Sequence, residues 1–188
     1  MGRGLAFAAE RLECSERTLR RYVNDGLLQG ERGGRHEVRL ARGEEVYLRQ
    51  HGQLLHGLRR ALRTEPSVRL AVLFGSTATG EDGPESDIDL LVALRSDSIP
   101  QLLRLQRRLQ SELDGREVHL VLLSDAEQAP ALLADVLREG RVILDRDGRW
   151  QGLSRRRKEI LEAADAQDQA TSEAAWLSVY EASRRLGV

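Results

Sequence analysis

The chain has 188 residues, 40% hydrophobic and 31% charged, which suits a globular protein of one large or two small domains. No apolar run nears the roughly 20 residues that span a bilayer, and the N-terminus lacks a signal pattern, so a cytoplasmic protein with no membrane partner is expected. The single Cys14 excludes an internal disulfide framework and a multi-cysteine zinc site.

A formal charge of −1 hides an asymmetry: residues 1–63 hold 13 Arg and 8 acids, residues 64–188 hold 16 basic and 22 acidic side chains. Basic character therefore sits in the first third, where a nucleic-acid surface would lie. Almost every basic residue is Arg, with Lys158 the only Lys, a chain-wide bias that says little about any one site.

Leu5 to Leu12 reads as a short helix with Leu5, Ala8, Ala9 and Leu12 along one face. Glu13-Cys14 makes a turn, and Ser15 is placed to cap a second helix over Glu16–Asn24. Thr18 stands at the third helical position, so a full capping box is missing. Asp25-Gly26 ends that helix, and Leu27-Leu28 supplies apolar anchors. From Gln29 to Leu40, extended residues flank a glycine-rich centre, the pattern of a hairpin with arginines at its tip. Gly43 to Arg63 follows as a helix with Val46, Leu48, Leu54, Leu55, Leu58 and Leu62 as its apolar set.

Helix, tight turn, helix and basic wing are the parts of a winged helix-turn-helix. The string Ala8 to Leu28, with its Ser15, Arg17-Thr18-Leu19-Arg20, Tyr22 and Gly26-Leu27-Leu28, resembles the MerR-type DNA-binding domain over about residues 4–50. The resemblance implies double-stranded DNA as a partner. It puts Glu16, Arg17, Thr18, Arg20 and Arg21 on a recognition helix in the major groove, with Arg32 and Arg35 of the wing on phosphates. A small helical domain with a solvated arginine face would carry the same pattern. No effector-binding cysteine cluster follows, so metal sensing is not implied, and with only one long helix the formation of a homodimer stays open.

Thr64-Glu65-Pro66-Ser67 marks a boundary, because proline ends the preceding helix and the composition changes after it. Val68–Phe74 reads as an apolar strand broken by Gly75-Ser76, and Thr77–Ser86 as a short helix and loop. Asp87–Ala93 is a second strand and Glu117–Leu123 a third. Between them, a helix from Pro100 to about Leu113 turns Leu102, Leu103, Leu105 and Leu109 inward; another helix spans Ala129–Glu139 and a short extended piece Val142–Leu144. Strands alternating with helices argue for a mixed sheet.

The strand period of two puts Asp87 and Asp89 on one face, with Cα atoms about 6.5–7 Å apart, and Ile88 and Leu90 toward the core. Two carboxylates converging on a divalent cation can bridge a triphosphate and neutralise charge developing on it. Gly75 allows close backbone approach to a phosphate, and Ser76 offers a hydroxyl to its oxygens. A Gly-Ser turn and an Asp-x-Asp are each common alone; their conjunction, ten residues apart between apolar strands, is far more specific.

The run Val72-Leu-Phe-Gly75-Ser76-Thr-Ala-Thr-Gly80, followed by Gly83-Pro-Glu-Ser-Asp87-Ile-Asp89-Leu-Leu-Val92, resembles the DNA polymerase beta-type nucleotidyltransferase superfamily, especially its minimal bacterial members. The similarity covers roughly residues 66–150. It implies that Gly75 and Ser76 bind a nucleoside triphosphate and that Asp87 and Asp89 bind Mg2+ (or Mn2+). Family members usually carry a third carboxylate on the next strand, where this chain has His119 in Val118-His119-Leu120-Val121. That substitution is expected to cost rate, with Glu117 on the same face as a substitute and His119 itself as a base or ligand. Thr79 also stands where many minimal members have Arg. Minimal members are often paired with a HEPN-type ribonuclease toxin. No His follows His119, so any such toxin is expected to be a separate chain.

Leu153–Leu186 reads as one long helix or two, anchored by Ile160, Leu161, Trp176, Leu177, Val179 and Tyr180, with Arg155–Lys158 as a solvated charged turn. The expected fold class is α+β / α/β. It comprises a winged helix-turn-helix with linker helix over 1–63, a nucleotidyltransferase fold with a small mixed sheet flanked by helices over 64–150, and a C-terminal helical segment over 151–188. Two functions compete: transfer of a nucleoside monophosphate to a protein or small-molecule hydroxyl, or a catalytically weakened, antitoxin-like transcriptional repressor that keeps the nucleotide site.

Overall fold

The structure, a computed structural model, describes residues 3–32, 38–83, 85–113 and 115–170. Helix α1 (Arg3–Arg11) leads through a turn at Glu13 (φ 46°) to α2 (Glu16–Asp25). Ser15 caps α2 as its sequence requires: the Oγ accepts from the Thr18 N–H at 3.3 Å and lies 3.1 Å from the Thr18 hydroxyl. Gly26 closes the helix in the left-handed region at φ 85°, and its N–H bonds back to the last-turn carbonyls of Tyr22 and Val23.

Strands β1 (Gly30–Arg32) and β2 (Val38–Leu40) pair antiparallel as a hairpin whose tip, with Arg35, lies outside the described residues. A 20-residue helix, α3 (Glu44–Arg63), then runs to the sheet.

The sheet has four strands in the order β5-β4-β3-β6. These are β3 (Val68–Phe74), β4 (Ile88–Leu94), β5 (Val118–Leu122) and β6 (Arg141–Asp145). β4 and β5 are parallel and the other pairs antiparallel, so the sheet is mixed as expected. Between the strands lie α4 (Ser76–Thr79), α5 (Ile99–Glu112), α6 (Leu123–Ala126) and α7 (Pro130–Glu139).

Helix α8 (Arg149–Arg155) begins four residues before the expected Leu153, because the carboxylate of Asp145 accepts from the N–H groups of Arg149 and Trp150. Arg156 breaks the helix, and residues 157–170 are helical again. The expected anchors Trp176, Leu177, Val179 and Tyr180 lie outside the described residues. Arg155–Lys158 is exposed and turns at Arg156, as expected, while Arg157 also donates to the carbonyl of Leu137 at 2.5 Å and Arg156 pairs with Glu127 and Glu159.

Two positions in the expected helix faces are corrected. Leu103 is 48% exposed and Val46 59% exposed. At about 100° per residue Leu103 lies nearly opposite the buried Leu105, and Val46 opposite the buried Leu55. The inner face of α3 is instead completed by Tyr47 and His51, which a purely apolar reading passes over.

Helices cover both faces of the sheet. One apolar cluster runs without interruption from Ala8, Leu19 and Leu27 through Leu48, Leu55 and Leu58 to Ala71, Leu73, Ile88 and Leu90. A second, under α7 and α8, gathers Leu70, Val72, Leu91, Leu133, Leu137 and Leu153. The N-terminal elements thus share their core with one face of the sheet. The carbonyl of Gly26 accepts from the Val142 N–H at 3.0 Å, which covers part of the β6 edge. Among the described residues no helix is long and apolar enough to cross a membrane.

Candidate active site

Three strand ends meet at one corner of the sheet. Phe74 pairs with Asp89 across β3 and β4, and Asp89 pairs with His119 across β4 and β5. This register carries the Gly-Ser turn, the aspartate pair and the histidine to the same edge. Ile88 and Leu90 are fully buried, so alternation leaves Asp87 and Asp89 half exposed on the other face.

Gly75 makes the turn between β3 and α4 with φ 72° and ψ −164°, a conformation essentially reserved for glycine. A Cβ there would stand 2.7 Å from Asp89 Oδ2, so the lack of a side chain lets the aspartate lie against the turn. Ser76 is exposed beside it. Thr77 Oγ1 donates to the Asp87 carbonyl at 3.0 Å, which ties the turn to the strand bearing the acids. Thr79 donates its hydroxyl to the Ser76 carbonyl at 3.0 Å and serves the turn itself.

His119 Nδ1 lies 3.6 Å from Asp87 Oδ2 and 3.5 Å from Asp89 Oδ1, while Nε2 is 3.2 Å from Glu117 Oε1. The hydrogen bond to Glu117, aided by the two aspartates, raises the affinity of His119 for a proton above that of free imidazole. Burial raises the pKa of Asp89, with Asp87 adding to the shift and His119 opposing it. Oxygens of Asp87 and Glu117 and a nitrogen of His119 all lie within 4.8 Å of one another. Such a donor set fits a divalent cation.

A second tier fixes the site, and its members escaped the sequence reading. Tyr47 donates its hydroxyl to the Thr77 carbonyl at 3.1 Å, and Arg141 Nε donates to the Ala78 carbonyl at 2.7 Å. Arg141 also meets Glu44 through both terminal nitrogens, at 2.7 and 3.1 Å, and stacks 3.5 Å from the Tyr47 ring centroid. Below α4, the two ring nitrogens of His51 face the Tyr47 carbonyl at 3.2 Å and Asp82 Oδ1 at 2.6 Å. Arg116 holds the other side of that loop through the Ser86 carbonyl at 2.7 Å.

Residues 57–149 match the family described as Polymerase beta, Nucleotidyltransferase. A chain of a toxin–antitoxin crystal structure with AMP-PNP is 24% identical, with a TM-score of 0.54 over 65% of this chain and 98% of that one. A chain of the toxin–antitoxin MntA-HepT is also 24% identical, with a TM-score of 0.50 over 66% of this chain and 98% of that one. In a mutant MntA-HpeT the figures are 25%, 0.51, and 62% and 93%. The sheet and its helices have a nucleotidyltransferase fold. No curated protein matches the chain.

The matched stretch begins inside α3 and contains Gly75, Ser76, Asp87, Asp89 and His119. The residues expected on DNA belong to other elements. Glu16, Arg17, Thr18, Arg20 and Arg21 are on α2, where Arg17, Arg20 and Arg21 are exposed and Thr18 is engaged with the Ser15 cap. Arg32 ends β1, and Arg35 is outside the described residues.

Proposed function

We propose that the chain binds a nucleoside triphosphate with a divalent cation and transfers a nucleoside monophosphate to a hydroxyl group of a separate protein, as the antitoxin of a toxin–antitoxin pair. The observation that carries this reading is the meeting of the Gly75–Ser76 turn with Asp87, Asp89 and His119 at one sheet corner. Likeness in fold to chains of toxin–antitoxin complexes, one of them with AMP-PNP, supports a protein acceptor, and a HEPN-type toxin encoded separately fits that role.

In this reading Gly75 and Ser76 seat the phosphates, while Asp87 and Asp89 hold the cation (Mg2+ or Mn2+). The cation's contribution is charge neutralisation on the phosphates and alignment of the attacking and leaving oxygens. The acceptor oxygen bonds to the α-phosphorus as the bridge to the β-phosphate breaks, pyrophosphate leaves, and the hydroxyl proton passes to a nearby base. Glu117, 3.2 Å from His119 and just ahead of the strand beside the two aspartates, is a carboxylate able to receive it.

Incubation with an α-labelled triphosphate, the cation and a co-expressed partner is expected to label that partner and release pyrophosphate. The variant Asp87→Ala/Asp89→Ala is expected to lose both signals by at least about a hundredfold. Equal labelling by wild type and variant would sink the assignment of the two acids.

A second activity is supported by α2 and the hairpin. Exposed Arg17, Arg20 and Arg21 beside a two-stranded wing suit the phosphates and base edges of double-stranded DNA. The reading of the chain as a DNA-bound regulator rests on this surface and on His119 replacing the third carboxylate. A gel shift on the chain's own promoter is expected to weaken with salt and to weaken further in Arg17→Ala and Arg20→Ala. An unchanged shift in both variants removes α2 from the DNA interface.

A further inference from the structure

His119 lies between two acidic groups that use its two nitrogens differently. Nδ1 faces the aspartate pair, 3.6 Å from Asp87 Oδ2 and 3.5 Å from Asp89 Oδ1. Nε2 is 3.2 Å from Glu117 Oε1, and in the Nε2–H tautomer it donates to that carboxylate. In this tautomer the lone pair of Nδ1 points at the aspartates. Donors on one six-coordinate ion, with bonds of about 2.0–2.2 Å, stand roughly 3 Å apart. Each aspartate oxygen thus stands only about half an ångström beyond the spacing that it and Nδ1 would take as neighbouring donors on one cation. A carboxylate that takes the second N–H of a ligating imidazole is the usual orienting partner of a metal-bound histidine.

We infer that His119 is a nitrogen ligand, with Glu117 as its positioning residue, so that this corner selects a first-row transition ion such as Mn2+ over Mg2+. The inference rests on the nucleotide-site reading of the same corner but concerns the ion alone. Mg2+ favours oxygen donors and gives up water reluctantly, whereas imidazole suits the transition ions. The replacement of a third acid by histidine is thus a change of metal, and the half-exposed position of His119 leaves the cation accessible to a triphosphate.

The metal alone is the probe. Titration of the full chain with Mn2+, followed by electron paramagnetic resonance and competed with Mg2+, is expected to show roughly tenfold or greater preference for Mn2+. The spin echo of bound Mn2+ is expected to carry nitrogen-14 modulation. In His119→Asp the modulation disappears and the preference falls to within about threefold. In Glu117→Gln the modulation remains, while Mn2+ affinity drops by about 10–100-fold.

Wild-type Mn2+ without nitrogen modulation overturns the inference, as does an unchanged Mn2+ preference in His119→Asp. Should that variant fail to fold by circular dichroism, the wild-type echo decides alone. An unchanged affinity in Glu117→Gln removes Glu117 from its positioning role. A chain that shows nitrogen-bound Mn2+ but takes up no AMP-PNP keeps the ion site and loses the nucleotide reading.

Discussion

Arg141→Met is expected to lower the free energy of unfolding by about 3–5 kcal/mol, measured by denaturant titration. Arg141 and Glu44 are each only 2% exposed, and they form a two-pronged pair. Loss of the guanidinium leaves Glu44 buried, with the Gln29 N–H at 3.1 Å still donating to it. It also strips a donor from the Ala78 carbonyl and another from the Leu27 carbonyl. Glu44→Gln is expected to cost a comparable amount, because it leaves the arginine's charge uncompensated.

The double exchange Glu44→Leu/Arg141→Met, which removes both charges, is expected to recover much of the loss; apolar replacements of buried pairs are often close to neutral. A cycle in which the two single losses simply add would show that the pair does not act as a unit. Because Ala78 belongs to α4, Arg141→Met is also expected to weaken triphosphate binding at a distance from the phosphates.

Gly75→Ala is expected to abolish detectable triphosphate binding, a loss of at least a hundredfold, while the chain still folds. The backbone there (φ 72°, ψ −164°) costs a side chain about 1–3 kcal/mol in strain. The added Cβ would sit 2.7 Å from Asp89 Oδ2, so the carboxylate must swing away or the turn must open. Either movement separates the proposed phosphate seat from the proposed cation ligands. Gly148→Ala is the control: its φ is also positive, at 69°, but nothing lies within 4 Å of the added carbon. That exchange is expected to cost about 1–2 kcal/mol of stability and leave binding intact. Isothermal titration with AMP-PNP distinguishes the two, and equal binding by Gly75→Ala and wild type would contradict the close packing of Asp89.

Much of this architecture was legible because short-range rules govern it. The Ser15 cap, the Gly26 stop, the glycine turn after an apolar strand and the alternation around Asp87 and Asp89 are all read within a few residues. Leu103 and Val46 were misassigned because an apolar side chain was equated with an inward one, although helix geometry sets them opposite the core. The clamp around α4 was invisible for a different reason. Glu44 and Arg141 are 97 positions apart, and each looks like an ordinary surface charge until the fold brings them together. Tyr47 and His51 likewise declare their role only through Thr77 and Asp82. His119 was found from its strand position, but its distinct partners at Nδ1 and Nε2 required the register of β4 and β5.

The unbroken apolar cluster and the Glu44–Arg141 pair bear on how such a chain can be rebuilt by recombination. A new head grafted ahead of this sheet would bring its own α3 and, unless it supplied an acid at position 44, would strand a guanidinium in the interior. Conversely, a sheet received without Arg141 would leave the incoming head with a lone buried carboxylate. The two ends of the matched surface must be inherited together, so descendants can readily vary the exposed arginines of α2 while the junction beneath them stays fixed.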